Sequence, residues 1–123
     1  MVIRAALLGV ALLAPSAVRA QDAVMGAWQR DDGIAQVKVA PCGKVICMTN
    51  TYIKPGTPDE RVGERIEFDL TAAGGSSLSG TVRDPKTGKS YATTVEVAGE
   101  TMTTRGCILG GVICKTTNWT RIR

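Results

Sequence analysis

Short connections between alternating segments set the strongest limit on how this chain folds. Clusters of glycine, proline, aspartate and serine separate nearly all of these segments. Eight short segments between these clusters are predicted to be β-strands: residues 26–30, 34–40, 45–53, 65–70, 78–84, 91–97, 101–108 and 112–122. The period-two alternation of apolar and polar residues is clearest in residues 34–40, 65–70, 78–84 and 91–97. Short connections make neighbouring strands antiparallel, and alternation gives each strand one apolar face. The pattern therefore predicts an antiparallel sheet with a single buried side.

Closure of this sheet follows from its edges. An open sheet of eight strands would leave two unpaired edges, and closing it removes both. The sequence therefore predicts an all-β fold, an eight-stranded antiparallel up-and-down barrel, with a sandwich of two sheets as the alternative. Such a barrel is just wide enough for side chains or one small ligand. The residues predicted to line it, as packed core or around a ligand, are Met48, Phe68, Tyr91 and Met102.

Residues 1–20 have the pattern of a secretory signal peptide. A basic residue precedes a nearly unbroken apolar run at residues 5–13, and Val18 and Ala20 supply the two small residues of an A-x-A-like cleavage site. The run is shorter than the roughly 20 residues that a membrane-spanning helix needs. We therefore expect cleavage after Ala20, a single mature domain of residues 21–123, a periplasmic or secreted location and no stable membrane insertion.

The charge balance argues against a polyanionic partner. The chain carries 15 basic and 11 acidic residues, for a net charge of +4, but two of the basic residues lie in the predicted signal peptide. The mature balance is therefore only +2. No basic run exceeds two residues and aromatic residues are few. We expect no nucleic-acid partner.

The four cysteines are predicted to form two local disulfides. Cys42 and Cys47 flank one turn, and Cys107 and Cys114 lie equally far from Gly110-Gly111. A strict two-residue Gly-Gly loop would put the second pair at a hydrogen-bonded site, with Cα atoms about 5.5 Å apart, which is within disulfide range. Loop entropy favours longer links such as Cys47 to Cys107. Each local pair, however, is close in any hairpin, and we therefore favour the local pairing.

Catalytic chemistry has little support in the composition. The chain contains no histidine, which removes the usual serine and cysteine triads and the commonest zinc ligand. The cysteine spacings, with four and six intervening residues, differ from the Cys-x2-Cys of common zinc sites. We therefore predict that the protein is not an enzyme and has no catalytic residue, no metal and no cofactor.

One short motif imitates a nucleotide-binding loop. Gly88-Lys89-Ser90 matches the end of a phosphate-binding loop, but Arg83 stands where the first glycine is required and no helix follows. A hairpin turn that begins at Pro85 and is capped by Asp84 explains these residues fully.

The longest connection, residues 54–64, is rich in charge. Long loops on rigid scaffolds often carry function, but a solvated loop is the favoured interpretation here. Within it, Asp59 and Glu60 are adjacent and therefore point apart in an extended chain, so they do not suggest an acid–base pair.

Four segments together resemble one bacterial family. They are Gly26-Ala27-Trp28, the segment from Cys42 to Cys47, the run DPKTGKSY at residues 84–91, and residues 106–121. Their order and spacing are similar to those of the secreted domain-of-unknown-function family number 2147 over residues 26–121. The resemblance implies a small lipocalin-like barrel of the bacterial envelope and no established activity. Many members carry Asn-Pro in the long loop, which this chain lacks, so a role tied to that motif does not carry over.

The first and last strands also resemble the wider calycin pattern. That pattern has Gly-x-Trp on the first strand and an arginine on the last strand that covers the tryptophan, and Gly26, Trp28 and Arg121 match it. A closed barrel needs its first and last strands to meet, and a large indole can plug the end while a guanidinium stacks on it. We expect these three residues to close the barrel.

The function predicted from these features is binding without catalysis. We expect a periplasmic binding module for a small apolar or amphipathic ligand held inside the barrel. The alternative is a protein-binding module, such as an envelope-stress factor or inhibitor, that acts through its loops. Neither hypothesis names the ligand, the partner or the oligomeric state.

Overall fold

A closed antiparallel barrel forms the whole sheet of the protein. The computed structural model describes residues 9 and 16–123. One helix, α1 (Ser16–Val24), precedes eight strands. The strands are β1 (Gly26–Arg30), β2 (Ala35–Cys42), β3 (Val45–Ile53), β4 (Arg65–Gly74), β5 (Ser77–Asp84), β6 (Lys89–Ala98), β7 (Thr101–Ile108) and β8 (Ile113–Arg121). Each strand pairs with the next, and β1 pairs with β8, so the predicted barrel is confirmed and the sandwich alternative is wrong.

The inward faces follow the sequence alternation. On β2, Ala35, Val37 and Val39 are buried, as the period-two pattern predicts. The same holds for alternate positions on the later strands, and the buried set includes Phe68, Leu70, Leu78, Val82, Thr93, Val95 and Val97. Because inward positions on neighbouring strands are in register, all of these side chains except Ala35 and Thr93 belong to one core cluster.

The barrel interior is packed. Trp28, Leu78 and Met102 are among its largest fully buried side chains. The void between the core side chains near Phe68 and Met102 measures about 10 Å³. A cavity needs about 10–15 Å³ to hold even one water molecule. The interior near these two residues therefore has no room for an apolar ligand.

Helix α1 covers one end of the barrel, where the sequence pattern predicted no helix. Val24 is buried against the core, and its carbonyl accepts a hydrogen bond of 2.9 Å from Nε1 of Trp28. Gln21 Nε2 donates to the carbonyl of Leu70 at 3.2 Å. A helix of only nine residues gives too little periodicity to stand out in a sequence.

The predicted signal peptide overlaps this helix. Residues 1–8 and 10–15 lie outside the described residues. Of the apolar run at residues 5–13, the structure therefore describes residue 9 alone. The predicted cleavage point after Ala20 falls inside α1, and Ala20 itself belongs to the buried cluster. Among the described residues, no helix is both long and apolar enough to cross a membrane.

The last hairpin differs from the predicted two-residue turn. Ile108 pairs with Ile113, so the connection has four residues, 109–112, and begins as a short 3-10 turn. Leu109, Gly110 and Gly111 all have positive φ. With this longer turn, Cys107 and Cys114 have Cα atoms 4.1 Å apart, close to the spacing of a non-hydrogen-bonded pair rather than the predicted 5.5 Å.

Candidate functional site

The two ends of the barrel have different structures. In an up-and-down barrel the turns alternate between ends, so residues 31–34, 54–64, 85–88 and 109–112 meet at one end. We call this the open end. The turns at residues 43–44, 75–76 and 99–100 meet at the other end, where α1 packs on β4 and β5. We call this the closed end.

At the closed end, Arg121 ties three segments together. Its guanidinium lies 4.2 Å from the centre of the Trp28 ring. Nη1 donates to the carbonyl of Met25 at 2.9 Å, and Nη2 donates to the carbonyl of Ala23 at 2.7 Å. A Cβ at Gly26, which has φ +112°, would approach Arg121 Nη1 to 3.1 Å. Since Trp28 has no exposed surface, the arrangement is a seal and offers no ring to a ligand.

At the open end, a cleft of about 490 Å³ enters the barrel. This volume lies in the range of small-molecule sites. Its apolar base consists of Met48, Ile66 and Trp119. Trp119 is held in place because its Nε1 donates to Oγ1 of Thr104 at 3.1 Å. We call this feature the charged cleft, because charged side chains surround the apolar base: Arg30, Arg65, Lys86, Asp59, Glu60, Glu64 and Asp84.

A bidentate ion pair crosses the rim of the charged cleft. Arg30, at the end of β1, donates from Nη1 and Nη2 to the two oxygens of Glu60 at 2.6 and 2.9 Å. Its Nε donates to Asp32 at 2.8 Å. The hydrogen bonds from Arg30 lower the pKa of the Glu60 carboxyl, and those to Glu60 raise the pKa of Arg30. A carboxyl with a lowered pKa is a poor general acid, so Glu60 has the wrong chemistry for that role.

The long connection is built onto the barrel rather than projecting into solvent. Asn50 on β3 donates its backbone N–H to the carbonyl of Glu64 at 2.8 Å, and its side chain donates to the carbonyl of Arg61 at 3.0 Å. The N–H of Gly63 returns a bond of 2.8 Å to the Asn50 carbonyl. Residues 54–64 therefore form one wall of the charged cleft, although the sequence favoured a solvated loop.

Some of the remaining charged side chains on the rim have a partner and others do not. Lys86 donates to Glu64 at 2.8 Å, which lowers the pKa of Glu64 and raises that of Lys86. Asp84 accepts the backbone N–H of Lys86 at 2.9 Å and so caps its own turn, as predicted. Within the described part of the chain, Arg65 and Asp59 have no salt-bridge partner. Asp84 also forms no salt bridge, but its carboxylate accepts that backbone hydrogen bond, so Arg65 and Asp59 are the two charges of the cleft without a described partner.

The residues predicted to line the interior lie in three different parts of the structure. Met48 reaches the base of the charged cleft, whereas Phe68 and Met102 belong to the packed core. Tyr91 is half-buried on β6 and borders a groove beside the β7–β8 hairpin. Sequence reasoning missed Arg30, Ile66 and Trp119 as cleft residues. Arg30 at the end of β1 and Ile66 near the start of β4 were readable as strand ends, but only barrel closure brings them and Trp119 of β8 around one opening.

The cysteines form the two predicted local pairs. Cys42 is bonded to Cys47, with Cα atoms 5.7 Å apart, and Cys107 is bonded to Cys114. All four cysteines are therefore in disulfides, and no free thiol is left. Within residues 9 and 16–123, no three His, Cys, Asp or Glu side chains gather as a metal site would require.

A comparison with known protein families finds one family whose model matches the barrel. The family model described as "Uncharacterized protein conserved in bacteria (DUF2147)" matches residues 26–121. The match begins at the first residue of β1 and ends at the last residue of β8, so it covers the complete barrel and leaves out α1. No curated protein and no solved structure matches the chain.

Proposed function

The chain belongs to the DUF2147 family of uncharacterized bacterial proteins, and we propose that it is a non-enzymatic binding module for a small amphipathic ligand. The charged cleft at the open end is the proposed site. The apolar part of the ligand rests on Met48, Ile66 and Trp119, and its polar head meets the charged rim. This location replaces the barrel interior, where the void near Phe68 and Met102 is about 10 Å³.

The observation that carries this proposal is the combination of volume and chemistry in the cleft. About 490 Å³ is open above an apolar base inside a ring of both charge signs. Sites for small ligands are typically apolar pockets with a few polar groups that set orientation. Arg65 and Asp59 are exposed, so a purely apolar ligand would make no use of their charges, whereas a zwitterionic head can pair with both. The ligand class we propose is therefore a zwitterionic amphiphile.

The absence of catalysis is part of the same proposal. The chain contains no histidine, and its four cysteines are in disulfides. The pKa of Glu60 and of Glu64 is lowered by hydrogen bonds from Arg30 and Lys86, respectively, which opposes acid catalysis near pH 7. These groups suit electrostatic recognition better than proton transfer.

The proposed compartment is the periplasm. Two disulfides fit an oxidising compartment outside the cytoplasm. The secretory pattern of residues 1–20 supports the same location. The disulfide of the hairpin after β7 lies at the open end with the site, and the one at the turn after β2 lies at the closed end.

The test uses a zwitterionic amphiphile as the probe. We expect dodecylphosphocholine, below its micelle concentration, to bind with one-to-one stoichiometry in native mass spectrometry and to change the tryptophan fluorescence. Arg65→Gln removes the unpaired cation and should weaken binding about tenfold, because a hydrogen bond to a charged group contributes about 1.5–3 kcal/mol. Arg83→Gln is the matched control, since Arg83 is exposed on β5 and does not line the cleft.

Two results would contradict the proposal. If Arg65→Gln and Arg83→Gln bind the probe equally well, the charged cleft is not the site. If neither the probe nor any co-purified small molecule is retained, the protein-binding alternative through the loops becomes the better hypothesis.

A further inference from the structure

The tip of the β7–β8 hairpin exposes an unusual amount of apolar surface. Residues 108–113 are Ile-Leu-Gly-Gly-Val-Ile, with no polar side chain. The exposed fractions are 41% for Ile108, 70% for Leu109, 81% for Val112 and 53% for Ile113. Single exposed apolar residues need no explanation, but four in one continuous turn mark an interaction surface. We call these residues the apolar tip.

The apolar tip is held in a defined conformation. The disulfide between Cys107 and Cys114 closes the hairpin directly beneath it. Leu109 has φ 54°, in the left-handed region that glycine or asparagine adopts more easily. A backbone outlier of this kind is a reason to look for a function. Here the strained position presents a large apolar side chain to the surroundings.

Three basic residues, on β6, β7 and β8, flank the apolar tip. No acidic residue occurs between Thr101 and Arg121, the full span of the hairpin. Arg105 on β7 and Lys115 on β8 lie within three residues of the tip, and Lys89 on β6 borders the groove beside Leu109. None of these three cations forms a salt bridge with a described residue. Lys115 also attracts the carboxylates of Asp32 and Glu60, so Lys89 and Arg105 are the freer pair.

We propose that the apolar tip docks the protein onto an anionic lipid surface. Ile108, Leu109, Val112 and Ile113 enter the boundary between headgroups and acyl chains, while the cations meet the lipid phosphates. Apolar insertion combined with electrostatic attraction is how peripheral proteins bind anionic bilayers. A protein with an acidic groove would offer the same negative charge as an anionic lipid surface. The apolar tip, however, has no hydrogen-bonding side chain, and such a surface fits the acyl chains of a lipid layer better than a structured protein groove. This site lies outside the charged cleft, although both are at the open end.

Vesicle sedimentation tests this proposal directly. We expect the oxidised protein to sediment with vesicles of about 30% phosphatidylglycerol in phosphatidylcholine, and to do so less at high salt. The double variant Leu109→Asn, Val112→Ser should lose at least about tenfold in affinity, because apolar surface no longer leaves water. Asparagine tolerates the left-handed backbone at position 109, so the fold should survive, with a melting temperature close to that of the wild type.

Two controls separate insertion from charge. Val62→Ser changes a valine of comparable exposure, 63%, in the long connection, and should leave vesicle binding unchanged. Lys89→Gln together with Arg105→Gln should weaken binding to anionic vesicles about tenfold or more, since each basic residue near such a surface contributes about 1 kcal/mol. Binding to pure phosphatidylcholine should be weak for every variant.

Three outcomes would overturn the proposal. The first is no retention of the wild type on anionic vesicles. The second is retention that the Leu109→Asn, Val112→Ser variant does not reduce. The third is a dimer in sedimentation velocity that this variant dissociates, with no binding to vesicles, which would make the apolar tip a contact between two copies of the chain.

Discussion

Gly80 stands where the barrel has no room for even one side-chain carbon. It lies on β5 opposite Leu70 of β4, and a Cβ placed there would overlap the backbone carbonyl of Asp69. The two strands come this close only because position 80 has no side chain. The sequence alternation placed Gly80 on the inward face but gave no sign of the close approach.

Gly80→Ala should therefore destabilise the protein by about 3 kcal/mol or more, because backbone cannot move aside as a flexible side chain can. Gly106→Ala is the matched control, since Gly106 is also a strand glycine but a Cβ there meets nothing within 4 Å. It should change the free energy of unfolding by less than about 1 kcal/mol. Urea denaturation of both variants is the measurement, and equal costs would contradict the close approach of β4 and β5.

The contact between Trp28 and Arg121 is the second feature at the residue scale. Trp28→Ala should cost about 3–5 kcal/mol, because it empties a fully buried site. Arg121→Ala should cost about 1–3 kcal/mol, since it leaves the carbonyls of Met25 and Ala23 without their charged donor. The two costs should not add, because each residue positions the other. A double-mutant cycle by thermal or urea unfolding gives the coupling, and strict additivity would contradict a shared role.

At the scale of elements, the long connection is where the sequence misled most. Its proline, glycine and charged residues are typical of solvated loops. Its structure depends on Asn50, just before it on β3, and on Arg30, which is 30 residues from Glu60 and meets it only after β1 has joined the barrel. Sequence reasoning identified the charges of the connection but not their partners.

The ion pair of Glu60 with Arg30 makes this element sensitive to acid. The pKa of Glu60 is lowered from its ordinary value of 4.5, so the pair contributes its full stabilisation above about pH 4.5 and loses it as the pH falls through the lower folded value. Glu60→Gln should therefore cost about 1 kcal/mol near pH 7, and the difference from the wild type should shrink below about pH 4.5.

Asp59→Asn is the matched control for that prediction. It neutralises the adjacent carboxylate, which has no salt bridge in the described structure, and asparagine tolerates the positive φ of 62° found there. Its free energy of unfolding should stay within about 0.5 kcal/mol of the wild type near pH 7. If both variants show the same dependence on pH, the ion pair is not the source of the acid sensitivity.

The strands were the most predictable elements. β1, β3 and β7 begin and end at the predicted residues, because each is bounded by turn residues. The four-residue turn after β7 was not predictable, since Gly110-Gly111 fits a shorter loop equally well. Helix α1 was hidden because residues 16–20 also belong to the predicted signal peptide, and nine residues give too little periodicity for a helix to stand out.

The whole molecule is a packed barrel with two unlike ends. The indole of Trp28, the guanidinium of Arg121 and helix α1 seal one end, whereas the other opens into the charged cleft. Period-two alternation and the need to remove sheet edges predicted the barrel itself. Neither could predict the cleft, because its volume depends on how far core side chains such as Met48 and Trp119 fill the open end.

The central claim is that a ligand binds above the core, in the charged cleft, and the methionine methyl groups test it most directly. Met25 lies at the closed end, Met48 at the base of the cleft and Met102 in the packed core. On titration with dodecylphosphocholine below its micelle concentration, the methyl resonance of Met48 should shift in ¹H–¹³C NMR spectra, while those of Met102 and Met25 stay in place. A shift of Met102 with Met48 unchanged would put the ligand inside the barrel and contradict the account.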